Sequence, residues 1–335
     1  MALSTATGLC NDDDVARLRD SRGCRQELLT ITDPNDAHEI EHASYNMAGT
    51  QILSVSYGDV HIWDAKTGEL IRCFEEHESY VRHASFNPRG DLIVTASDDR
   101  TARIWRVWTG ECLRILRGHS NTVCTASFSH DGERIVTASF DGTVRVWNAS
   151  TGECVRALRY NDETMFFSAL YSPDDSMIVT IQYDKEDGER IYTACIWDVV
   201  TGECRRMLKG HTSLVICASF SPDGSLVAIA SDDDTARIWR VETGECIHIL
   251  EGHESLVGSA MFSPDGAHIV TASKDRTVRI WDVADGRQLF RYDLKPEADG
   301  YDTPFACYDP KGTRILARVG YERMHILSAP VFRFK

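Results

Sequence analysis

The stretch from Gly118 to Trp147, GHSNTVCTASFSHDGERIVTASFDGTVRVW, followed by Thr151-Gly152-Glu153, decides how this chain folds. The same pattern returns from Glu76 to Trp105, from Gly210 to Trp239 and from Gly252 to Trp281. Tryptophans stand at Trp63, Trp105, Trp147, Trp197, Trp239 and Trp281, at intervals of 42, 42, 50, 42 and 42 residues. A seventh copy follows 46 residues later, where Met324-His325-Ile326-Leu327-Ser328-Ala329 aligns with Val60 to Ala65 and Leu327 takes the tryptophan position. Each copy is then one supersecondary unit that buries its apolar face only by stacking on its neighbours.

Alternation and turn residues place four strands in a copy. Val123 to Phe128 is the innermost. Ser129-His130-Asp131-Gly132 turns into Arg134 to Ser139, Asp141-Gly142 turns into Thr143 to Trp147, and Thr151-Gly152-Glu153 turns into the outer strand Cys154 to Leu158. Gly-His opens units at Gly118, Gly210 and Gly252, and Trp-Asp closes them at Trp63, Trp197 and Trp281. These residues resemble the WD-repeat family of β-propellers over roughly nine-tenths of the chain. The resemblance implies an all-β, seven-bladed ring. Cys24 to Ile31 aligns with an outer strand that has no inner strands before it, while the last copy lacks its own. The ring is therefore expected to close by a strand at about 24–31 joining the C-terminal blade.

On this division 24–335 is a single propeller, and 1–23 is an extension, either a short helix capped near Asn11 to Asp14 or a mobile tail. The formal charge of -15 disfavours nucleic acid as a partner. No stretch has signal-peptide or membrane-spanning character. Of eleven cysteines, Cys112, Cys154, Cys204 and Cys246 repeat at one lattice position, too far apart for bridging, and are taken as reduced. That favours the cytoplasm, with the nucleus as the alternative.

Four copies carry a polar set: His77, Ser97, Asp99 and Trp105; His119, Ser139, Asp141 and Trp147; His211, Ser231, Asp233 and Trp239; His253, Ser273, Asp275 and Trp281. Four identical sets cannot each be a catalytic triad with its own oxyanion hole. The resemblance implies instead a structural tetrad, hydrogen-bonded from indole through serine and histidine to aspartate. No catalytic residue, metal ligand set or cofactor site is expected. Arg103, Arg145, Arg237 and Arg279 repeat as blade structure, and Cys217 and Cys307 lack a histidine partner. The fourth copy departs from the pattern at Asn161 and Gln182, and Lys185 to Arg190 lengthens one of its turns.

Individuality lies where the copies differ. One position, between the serine and the aspartate, reads Tyr57, Asp98, Phe140, Tyr183, Asp232, Lys274 and Gly320. A second, before the inner strand, reads Tyr80, Thr122, Thr164, Leu214 and Leu256. By resemblance these rings form a top face that docks partner proteins or peptides. Aromatic rings beside carboxylates suit an Arg or Lys side chain, with Phe140 and Asp98 the foremost pair. The function expected is a non-catalytic scaffold or adaptor. The alternatives are an enzyme or small-molecule sensor at the channel mouth and a ubiquitin-ligase substrate receptor. The last is weakened by Lys66, Val200 and Ala284, where such receptors often carry arginine after Trp-Asp.

Overall fold

A computed structural model describes residues 27–32, 40–56, 58–74, 76–161, 163–186, 189–294, 303–318 and 323–330. The expected extension at 1–23 lies outside them. The described strands form seven four-stranded antiparallel sheets, each a blade. Blade 3 is typical, with strands Val123–Phe128, Arg134–Ser139, Val144–Asn148 and Cys154–Leu158 from the channel outward. The second and third strands are almost wholly buried, because a neighbouring blade covers each face. Seven apolar clusters fill the ring, and clusters at the seams draw on two adjacent blades; one packs Val136 and Val146 of blade 3 on Phe166 and Trp197 of blade 4.

Blade 7 takes strands from both ends of the described chain. Glu27–Thr32 pairs antiparallel with Arg323–Ser328 as the outer strand of that sheet. This is the closure expected from residues 24–31, seen from Glu27 onward. Leu327 sits opposite Ile315 as Trp147 sits opposite Ile135, so leucine does replace the indole there.

Neighbouring blades are locked on the face of the first turn by small-on-proline contacts. The Cα hydrogens of Gly132, Gly224, Gly266, Gly312 and Gly49 face Pro88, Pro173, Pro222, Pro264 and Pro310 of the preceding blade. All five glycines have positive φ, a conformation that other residues adopt at a cost. At the blade 3–4 seam both partners change together. Asp175 holds the positive φ, and its carboxylate accepts from the His130 and Asp131 amides at 2.7 and 2.9 Å. A second lock lies on the outer strands. Arg72, Arg114, Arg156, Arg206 and His248 each reach to a carbonyl in the next blade's last turn, at Trp108, Ser150, Thr201, Glu242 and Ala284.

The blade 4 departure is not a loose loop. Its second and third strands run on to Glu186 and from Glu189, paired in register from Met177 opposite Asp198 to Glu186 opposite Glu189. Asp187-Gly188 is the two-residue sequence that favours such a hairpin.

Candidate functional site

Beneath the top face, the polar set is a relay with a different hydroxyl from the one expected. In blade 3 the Trp147 indole donates to Thr137 Oγ1 at 2.8 Å, Thr137 lies 2.7 Å from His119 Nε2, and His119 Nδ1 lies 2.8 Å from Asp141. Blades 2 and 6 repeat this with Thr95 and Thr271. Ser97, Ser139 and Ser273 are outside the relay; each accepts from the following aspartate's amide and donates to a loop carbonyl. The reason is position along the strand: the threonine lies two residues nearer the indole. Since an ionised aspartate only accepts, His119 must carry its proton on Nδ1 and accept from Thr137 on Nε2.

Burial alone would raise the Asp141 and Asp275 carboxyls. Hydrogen bonds from His119 and His253, and from Thr143 and Thr277, overcome it and hold both well below the ordinary carboxylate range. Burial in turn lowers His77, His211 and His253, against the pull of their aspartates.

Blade 5 breaks the relay. Ile229 stands where threonine is needed, and both His211 Nε2 and Trp239 Nε1 are buried without a hydrogen-bond partner. The expected tetrad of His211, Ser231, Asp233 and Trp239 is thus reduced to the His211–Asp233 pair at 2.8 Å. Ile229→Thr is expected to stabilise the protein by about 1 kcal/mol, because two satisfied donors and acceptors outweigh the lost methyl. Ile229→Val, which removes carbon without adding a hydroxyl, is expected to destabilise it by about 1 kcal/mol. Urea denaturation midpoints of the two variants would test this, and equal midpoints would contradict it.

Above the relay, backbone bonds join the two variable rings blade by blade. Asp98, Phe140, Asp232 and Lys274 donate their amides to the carbonyls of Tyr80, Thr122, Leu214 and Leu256. Tyr80 is 42% exposed, whereas Leu214 and Leu256 are only partly so. Tyr57 and Gly320 lie outside the described residues. Asp98 and Phe140, foremost in the sequence reading, have separate partners. Arg82 grips Asp98 through two bonds of 2.8 Å, and Phe140 packs edge-on against Phe167 of blade 4 at 5.1 Å. Tyr183 packs on Tyr192 at 5.4 Å. Asp232 accepts from the Ser213 hydroxyl and faces no described cation.

Arg82 and Phe167 belong to a ring that strand alternation hides. Each inner strand of blades 1 to 6 shifts register near its start, after the first paired residue or, in blade 4, after the second. These bulges re-aim Glu41, Arg82, Cys124, Phe167, Ile216 and Gly258. Glu41, Phe167, Ile216 and Gly258 line a cavity of about 360 Å³ together with His42, His83, Ser127, Phe305 and Cys307 among others. The His42 and His83 rings lie 4.5 Å apart, His83 bonds the Ala126 carbonyl, and His42 Nδ1 has no partner. Burial pushes His83 down to about 4 and His42 well below its ordinary value, the latter helped by His83.

His42, His77, His83, His211 and His253 hold fewer protons folded than unfolded. Stability is therefore expected to fall as pH drops below about 6.5, by up to ~1.4 kcal/mol per pH unit for each such histidine. The loss for His83 is complete once pH reaches its folded value. Melting temperatures between pH 8 and pH 4.5 would show this, and a flat profile would contradict it.

Among the described residues no group of three or more His, Cys, Asp or Glu side chains is arranged to hold a metal ion, and no helix is long and apolar enough to cross a membrane. The WD domain, G-beta repeat model matches residues 68–106, 110–148, 202–240 and 244–282. Each match begins at the outer strand of one blade and ends in the third strand of the next, so a repeat bridges a seam. With four matched repeats in a seven-bladed ring, the chain is a WD-repeat β-propeller. It is similar to Periodic tryptophan protein 2 homolog of Neurospora crassa, 46% identical over 50 residues, 15% of this chain and 6% of that protein. A chromatin assembly factor 1 component of Mus musculus is 46% identical over 44 residues, 13% of this chain and 8% of that protein. WD repeat-containing protein pop1 of Schizosaccharomyces pombe is 48% identical over 52 residues, 16% and 6% respectively. The matched stretches span less than a tenth of these relatives' lengths.

Proposed function

We propose that this propeller is a non-catalytic scaffold that docks partner proteins or peptides on its top face. The observation that carries this is the contrast between the repeated relay and the ring directly above it. The relay and the seam contacts recur as structure, while Tyr80, Phe140, Tyr183, Leu214, Asp232, Leu256 and Lys274 differ in kind at matched positions. The paired blade 4 hairpin extends the edge of that face. Because Arg82 already neutralises Asp98, a partner's Arg or Lys is better received at Asp232, with Leu214 beside it. One relative's name describes a component of a chromatin assembly factor, which supports protein partnership and a nuclear setting beside the cytoplasmic one. Neither nucleic acid nor membrane is proposed as a partner.

Affinity capture with wild-type protein and with a Phe140→Ala, Asp232→Arg variant of unchanged melting temperature tests the reading. Partners lost by at least about ten-fold with the variant support it; partners retained in full refute top-face docking. A second reading, a small-molecule sensor, is favoured by the channel cavity and the unpaired His42 Nδ1. It predicts a ligand-induced rise in melting temperature that His42→Phe abolishes.

A further inference from the structure

In blades 2, 3, 5 and 6 an arginine stands two residues before the tryptophan, at Arg103, Arg145, Arg237 and Arg279. Opposite the tryptophan on the outer strand lie Cys112, Cys154, Cys246 and Gln288. These two lattice positions face each other, as Arg279 Nη1 donating to Gln288 Oε1 at 2.8 Å shows. Blade 4 keeps the outer-strand cysteine, Cys204 opposite Trp197, but places Cys195 at the arginine position. Two thiols therefore share a space built elsewhere for a guanidinium. Cys195 is fully buried in the apolar cluster around Trp197, and Cys204 packs on that cluster from the partly exposed outer strand. Tyr160 stands edge-on to Trp197 at 6.3 Å and reaches Met207 Sδ at 3.5 Å.

We propose that Cys195 and Cys204 are an oxidation site, a dithiol that hydrogen peroxide closes to a disulfide between the third and outer strands of blade 4. Each thiol acts on the other, lowering Cys204 and raising Cys195, which burial raises further. Cys112, Cys154 and Cys246 share with Cys204 a contact to the carbonyl two residues on, at 3.4 to 3.6 Å. They lack the second thiol. The roles follow from this asymmetry. The Cys204 thiolate attacks one peroxide oxygen, the O–O bond breaks, and hydroxide leaves as water after taking a proton, giving a sulfenic acid. The Cys195 sulfur then displaces the sulfenic hydroxyl, which leaves as water with the Cys195 proton. The dithiol loses two electrons to one peroxide.

Trypsin cuts after Arg190 and Arg205, so both thiols fall in one peptide, 191–205. The folded protein would be treated with graded peroxide, blocked with iodoacetamide, digested and weighed. The expected product is peptide 191–205 lighter by two hydrogens and without alkyl groups, at a dose about ten-fold below that oxidising Cys112, Cys154 or Cys246. In Cys195→Arg, which restores the residue of the other blades, Cys204 is expected to lose this advantage and react like Cys246. The proposal is overturned if Cys204 passes to sulfinic acid without the internal bond. It is equally overturned if all four outer-strand cysteines oxidise at one dose, a comparison within the wild-type protein that needs no variant to fold.

Discussion

Asp141→Ala is expected to cost about 3–5 kcal/mol, enough to remove much of the stability of a typical domain. The carboxylate is almost wholly buried and accepts four bonds, from His119 Nδ1 at 2.8 Å, the Ser120 amide at 3.0 Å, the Thr143 amide at 2.9 Å and the Thr143 hydroxyl at 2.6 Å. Alanine strands every one of these donors away from water, and it removes the acceptor that fixes the His119 tautomer. Thr137→Val is the milder companion. It leaves the aspartate in place but cuts the relay between His119 and Trp147, reproducing in blade 3 the state that Ile229 imposes on blade 5. About 1–3 kcal/mol is expected from that cut. Calorimetry of the two variants would settle the order; an Asp141→Ala melting temperature equal to wild type would show that the relay carries no stability.

Gly258→Ala is expected to be nearly as damaging, for a steric reason. A methyl group at Gly258 would lie 2.0 Å from the Pro304 carbonyl oxygen and 2.8 Å from its ring Cδ. Neither can move as a flexible side chain can, because the Pro304 segment leads straight into the inner strand of blade 7. That strand is pinned beside Gly258 by the Ala306 amide on Ser259 Oγ at 2.7 Å. The seam between blades 6 and 7 must open, at a cost of at least about 1–3 kcal/mol. Hydrogen exchange should rise most at Phe305–Tyr308. Uniform exchange with an unchanged melting temperature would mean the Pro304 segment retreats freely.

The ring, the blade count and the closure can be read from the sequence because tryptophan spacing, turn residues and an orphan outer strand all report on backbone geometry. Side-chain partnerships are less visible. Serine and threonine both lie in the TAS run of the second strand, and only their height along it decides which meets the indole. Inner-strand bulges insert one residue that only in blade 6, at Gly258, is a glycine, so nothing in the pattern points to Arg82 or Phe167, and Asp98 reads as a free carboxylate. The outer-strand arginines do leave a signal, a basic residue two places after each repeated cysteine. Their role is hidden because it lies across a seam. Cys195 stands out only as a missing arginine, and its meaning depends on what faces it.

Closing the ring with a strand from the opposite end of the described chain imposes a delay on biosynthesis. At ribosomal speed the roughly 290 residues between Thr32 and Arg323 take about 15–60 s to emerge. Throughout that interval Glu27–Thr32 is a made strand with no sheet to join, while six blades can already stack beside it. The nascent chain thus passes through an open, six-bladed arc with two bare seams, and that arc is the form most in need of a chaperone.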